Sequence, residues 1–167
     1  MAWGLDYVKG GGKDLAEAVK GFDRADFLLW FMVKADALPI EAAFDLLIEL
    51  ARARLDNAIH LAGIESADKT MLQRARGACA SEAETLMTTG NYRGGHALTV
   101  GTFLIRMRMH FMEVDLDQAL KDGQCVLNNL VAARTGSLNF GTADAHQEHA
   151  GLCTWLRNHV IVPAGRV

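Results

Sequence analysis

Residues 23–63 read DRADFLLWFMVKADALPIEAAFDLLIELARARLDNAIHLAG, and the way this stretch divides decides the fold. Phe27 to Val33 is an unbroken apolar run between Asp26 and Lys34. It is far too short to cross a bilayer, which takes about twenty residues. A helix that is apolar on every side has to be covered on every side. Residues 23–37 are therefore expected to form either the central helix of a bundle or a helix shared between the core and a second chain. Pro39 is expected to open the next helix, at the position where its missing N–H costs nothing. There Ile40, Ala43, Phe44, Leu47, Leu50, Ala51, Ala58 and Ala62 recur at three- and four-residue steps, opposite Glu41, Asp45, Glu49, Arg52, Asp56 and His60. This is the pattern of one amphipathic helix, which Gly63 closes.

Working outward, a short helix over 14–20 precedes this pair and stops at Gly21. After it, Ser66 is the expected N-cap of a helix through Met87, with Gly90 just past its end. Asn91 to Gly95 reads as a loop. Residues 97–114 carry two codes, because Ile105 to Phe111 alternates as an exposed strand would. A helix is expected, since Val100, Phe103, Leu104, Met107, Phe111 and Val114 make one apolar face and no partner strand is evident. Asp115 or Asp117 opens a further helix striped by Leu116, Ala119, Leu120, Val126, Leu127, Leu130 and Val131, which Gly136 ends. Thr142 caps the last helix, 143–160, and Pro163 prevents its continuation. The sum is an all-α, single-domain bundle of six or seven helices. Residues 1–13 are expected to be a flexible arm, 14–162 the bundle and 163–167 a tail.

Half of the 167 residues are hydrophobic, which excludes a disordered chain. The net charge of -3 gives a nucleic-acid partner no support. Residues 69–108 are the most basic interval, but their cations are spread over several elements and read as a solvated surface. Residues 1–12 have neither the apolar core nor the cationic start of a secretory signal. Three cysteines, Cys79, Cys125 and Cys153, lack the pairing of a disulfide framework or zinc module. A cytoplasmic location is expected, with export lacking a signal left open.

Two short patterns resemble known families. Lys20–Ala25 (KGFDRA), Ala53–Ile59 (ARLDNAI) and Thr89–Gly95 (TGNYRGG) are similar to the inter-helix turn of tetratricopeptide repeats, whose period is about 34 residues. That resemblance implies helical hairpins that hold peptides or proteins. The small and aromatic positions within the helices do not follow the repeat, so a TPR-like arrangement stands as a variant of the bundle. Arg54-x5-His60 resembles the short motif of helical HEPN ribonucleases. On one regular helix, however, six steps of 100° set these two side chains about 120° apart.

Chemistry is sparse. His146, His149 and Cys153 lie at i, i+3 and i+7 on the last helix, all able to bind a divalent transition metal. The outer two are about 10 Å apart along the axis, so an ion would need a ligand from elsewhere, such as His110, Glu113 or Cys79. Arg106, His110 and Glu113 form a polar row near His96, in which His110 and Glu113 are spaced to pair. Cys125 is expected to be the most accessible thiol, yet no histidine neighbours it in sequence. The expected function is a non-enzymatic protein–protein interaction module of adaptor, chaperone or immunity type, without cofactor. Its interface is expected to be Trp3, Tyr7, Phe27, Trp30 and Phe31, and its partner a second copy. The alternative is a small metal- or ligand-binding enzyme built on His146, His149 and Cys153.

Overall fold

The computed structural model describes residues 15–55, 64 and 68–159. Among them are seven helices and no strand. These are α1 (Leu15–Lys20), α2 (Ala25–Lys34), α3 (Ile40–Arg54), α4 (Lys69–Thr88), α5 (Tyr92–Met112), α6 (Leu116–Thr135) and α7 (Ala143–Arg157). The expected all-α bundle is the architecture, and residues 97–114 fall within the continuous helix α5 and its C-terminal cap. None of these helices is long and apolar enough to cross a membrane. The arm, the tail, Ser66, Trp3, Tyr7 and His60 lie outside the described residues.

Most of the apolar run of α2 is covered by its own chain. Leu28, Leu29, Phe31 and Met32 are wholly buried, and α2 packs on α1, α3, α6 and α7. The longer helix α6 touches α2, α3, α5 and α7 and is the second hub. Where three of these neighbours meet it, the residue is Gly123. A Cβ there would come within 3.4 Å of Leu47, Leu29 and Met107, tighter than ordinary packing. By contrast α4 lies mainly against α5, and of its twenty residues only Leu72, Cys79 and Ala83 are buried.

Several expectations about boundaries change. Helix α4 is capped by Asp68, which accepts from the Thr70 N–H at 2.9 Å, rather than by Ser66, and α7 ends at Arg157 rather than at 160. Helix α3 ends at Arg54, because Leu55 is extended (φ -118°, ψ 128°); Ala58, Ala62 and Gly63 lie outside the described residues. Pro39 is the N-cap of that helix rather than its first residue. Asn91–Gly95 is not a loop. Asn91 caps α5 by accepting from the Gly94 N–H at 3.0 Å, and Gly95 lies within the helix. Its glycine serves close approach, since a Cβ there would sit 2.4 Å from Met87 Cγ of α4.

Helices α2, α4 and α5 share one kind of ending. The second residue past each cap returns its N–H to the third-from-last carbonyl: Ala37 to Met32 at 2.9 Å, Asn91 to Leu86 at 2.8 Å and Asp115 to His110 at 2.9 Å. This is the Schellman arrangement, which puts the residue before it in the left-handed region and favours glycine there. Gly90 fits (φ 89°), and Asp36 (φ 58°) is of a type that tolerates it. Val114 (φ 57°) does not, being β-branched.

Candidate functional site

One pocket forms where the start of α2 meets the start of α7. Gly136, left-handed at φ 80°, ends α6. The following loop is folded by side chains, with Asn139 N–H on Ser137 Oγ at 3.0 Å and Gly141 N–H on Asn139 Oδ1 at 3.1 Å. This turns Phe140 back, edge-on, against His149 with ring centroids 4.9 Å apart. Thr142 accepts from the Ala145 N–H and caps α7. Its first turns then place His149 inside, 1 % exposed, and His146 outside.

A helix start leaves four N–H groups without partners, and Arg24, at the N-cap of α2, supplies no side-chain cap. His149 fills part of that need from across the bundle: its Nδ1 accepts the Ala25 N–H at 3.2 Å. An acceptor Nδ1 is unprotonated, so the neutral ring carries its proton on Nε2. Burial, against the pull of Asp26, lowers the His149 pKa and keeps the ring neutral. The Nε2–H is buried and has no partner among the described residues. A buried donor left this way costs about 1–3 kcal/mol.

Around it lie Asp23, Arg24, Phe140, Gly141 and His146, enclosing about 340 Å³. Arg24 is held on Asp26 through Nε (3.1 Å) and Nη2 (2.8 Å) and lies over the Phe27 and Phe140 rings. Asp26, 4 % exposed, also accepts from Asn128 at 3.3 Å. The guanidinium is thus neutralised in place.

This geometry does not gather His146, His149 and Cys153 around one point. A ring that accepts at Nδ1 and carries its proton on Nε2 has no lone pair left for an ion. Cys153 is wholly buried, and burial pushes its thiol up to about 11. His146 faces solvent. Among the described residues no three His, Cys, Asp or Glu side chains are grouped to hold an ion.

The polar row on α5 is also regrouped. His110 Nδ1 pairs with Asp122 Oδ2, Arg106 Nε lies 3.7 Å from Asp122 Oδ1, and Gln118 Nε2 donates to the same oxygen at 3.4 Å. Glu113 leaves the group and pairs with Lys69 of α4 at 3.0 Å. Asp122, 1 % exposed, is the residue the sequence reading missed. Its signal was the polar stripe Gln118, Asp122, Cys125 and Asn129 opposite the apolar stripe of α6. Two turns further along α6, His96 bonds Asn129 at 3.0 Å. These bonds clamp α5 to α6. Cys125 is the partly exposed thiol while Cys79 and Cys153 are buried.

Of the expected interface residues, Phe31 is inside, its ring 5.0 Å from that of Phe22. Trp30 is partly buried, and Phe27 is 37 % exposed beneath Arg24. At the opposite end of α2 and α6, Met112, Val114 (77 %) and Leu116 around the α5–α6 turn and Met71 of α4 are exposed together, while Tyr92 at the start of α5 and Leu138 in the α6–α7 loop are exposed elsewhere. The Lys69–Glu113 pair and the Lys34–Asp117 pair at 3.2 Å gather the start of α4 and the end of α2 to that turn. Comparison with known families, characterised proteins and solved structures finds no match to this chain.

Proposed function

We propose that this chain is a non-enzymatic interaction module, and that it meets its partner with the bundle end formed by the α2–α3 and α5–α6 turns. The observation that carries this reading is Val114, a β-branched residue in a glycine position, 77 % exposed. A left-handed L-residue costs roughly 1–2 kcal/mol, and a side chain in water returns little of that to the fold. Strain retained without return to stability marks a surface kept for another purpose. Beside it Val33, Leu38, Pro39, Ile40, Leu116 and Leu120 line a hollow of about 440 Å³.

Charge selects the partner. At this end Lys34–Asp117 and Lys69–Glu113 cancel, leaving the exposed Asp36 and Asp115 without an ion pair among the described residues. Two copies face to face would oppose like charges. A different polypeptide offering an apolar side chain flanked by basic groups suits the surface.

Native mass spectrometry of the untagged protein from its own host tests this, run on the natural sequence beside Val114→Asp, Leu116→Asp and the distant control Phe27→Asp. The expected result is a stoichiometric second polypeptide, present in the natural protein and the control and absent from the two end variants. A homodimer abolished by the same two changes would move the reading to self-association. A complex indifferent to both would overturn the surface.

A further inference from the structure

The pocket between α2 and α7 has a directional pattern of unmet groups. His149 Nε2–H is a buried donor without an acceptor among the described residues. Arg24 uses Nε and Nη2 on Asp26, and its Nη1 makes no bond among the described residues. Asp23 supplies carboxylate oxygens at the same wall. The pocket thus offers two donors that want an oxygen and one acceptor that wants an N–H.

Net charge narrows the ligand. The Arg24 cation is spent on Asp26, the imidazole is neutral, and Asp23 adds a negative charge, so nothing balances a carboxylate or phosphate. A bare ammonium would satisfy Asp23 but leave the His149 donor unmet. A group with a carbonyl oxygen directly beside an N–H meets all three demands without charge. The volume, about 340 Å³, is at the small end of ligand pockets.

We propose that this pocket binds a small uncharged carboxamide, its carbonyl oxygen accepting from His149 Nε2–H and Arg24 Nη1–H and its N–H donating to Asp23. Nε2 is closed off from water, so the oxygen reaches it by displacing the edge of the Phe140 ring. Exchange of an unmet donor for a met one supplies the binding energy. None of this depends on the surface at the opposite end.

The experiment is a titration of the ¹⁵N-labelled full chain with benzamide, following the imidazole nitrogens of His149 by long-range nitrogen–proton correlation. Benzoate is titrated in parallel. The expected result is a benzamide-dependent shift of His149 Nε2, with Nδ1 little changed and benzoate at least about tenfold weaker. Asp23→Asn, at an exposed position, should weaken benzamide about tenfold while leaving the fold intact. A His149 Nε2 signal unmoved by benzamide overturns the proposal. So does benzoate binding as tightly as benzamide, or an Asp23→Asn protein that binds benzamide unchanged.

Discussion

At its first residues α6 follows a turn in which Val114 holds a left-handed backbone and shows most of its side chain to water. At its last residues the chain turns back to bury His149 with a donor that has no partner among the described residues. The twenty residues between them span about 30 Å. One end leaves apolar surface and backbone strain outside; the other, beside the exposed Leu138, leaves a polar group inside without a partner among the described residues. Folding alone favours neither. Along the rest of α6 most groups are matched, with Gly123 admitting three neighbours and Asp122 held by Arg106, His110 and Gln118, while Asn128 Oδ1 is buried without a partner among the described residues. The difference teaches where to look for function in this chain: at the two ends of α6, where backbone strain is kept on one side and a buried donor without a described partner on the other.

The largest effect on stability should come from the matched middle, and it should leave both ends untouched. Asp122→Asn removes the carboxylate that balances Arg106 and His110. Breaking a buried pair costs about 3–5 kcal/mol, but Arg106 and His110 keep partial access to water, which brings the expected loss to about 2 kcal/mol. Urea unfolding measures it. If the same variant lost benzamide or partner binding while still folded, the two ends would be coupled through α6 and the contrast drawn above would fail.

A smaller effect of opposite sign is expected at Val114. Val114→Gly relieves roughly 1–2 kcal/mol of left-handed strain and gives back about 0.5–1 kcal/mol in unfolded-chain freedom. The net is a gain of about 1 kcal/mol, read as a higher urea midpoint, together with a weaker complex. A loss of stability would show that the valine packs into the fold, and the argument for a reserved surface would go with it.

The bundle was legible because its signals are local. Stripes at three- and four-residue steps, Asp115 and Thr142 as caps and Gly136 as a stop all act within a turn or two of themselves. Gly94-Gly95 misled because glycine marks both loops and close helix contacts, and only Met87, on another helix, distinguishes them. Ala58 and Ala62 extended the apolar pattern of α3 beyond the residue where its backbone turns extended. The sites were less legible for the same reason. His149 stood out as a chemical residue, but its protonation is set by an N–H 124 residues away. His110 was paired with Glu113 by spacing along one helix, whereas the neighbouring helix supplied Asp122. Phe31 was one apolar residue among seven in sequence, with nothing to show that its own chain would cover it.

The smallest of these effects bears on the polar end and concerns pH. In the unfolded chain His149 titrates near 6.5, and in the folded chain burial, partly opposed by Asp26 and Asp23 and reinforced by Arg24 and His146, lowers that value. Above 6.5 both states hold the ring neutral and its contribution is fully present. As pH falls below 6.5 the unfolded chain binds a proton that the folded chain resists, so stability falls, and it goes on falling until the folded value is passed. Protonating the folded ring sets Nδ1–H against the Ala25 N–H, donor against donor, and the start of α2 loses its cap. The wild-type melting temperature should therefore drop more steeply between pH 7.5 and 5 than that of His149→Phe, which has no proton to gain. Parallel curves would mean that the ring is already open to water and charged without penalty, and the dry, unmet Nε2–H that separates this end from the other would not exist.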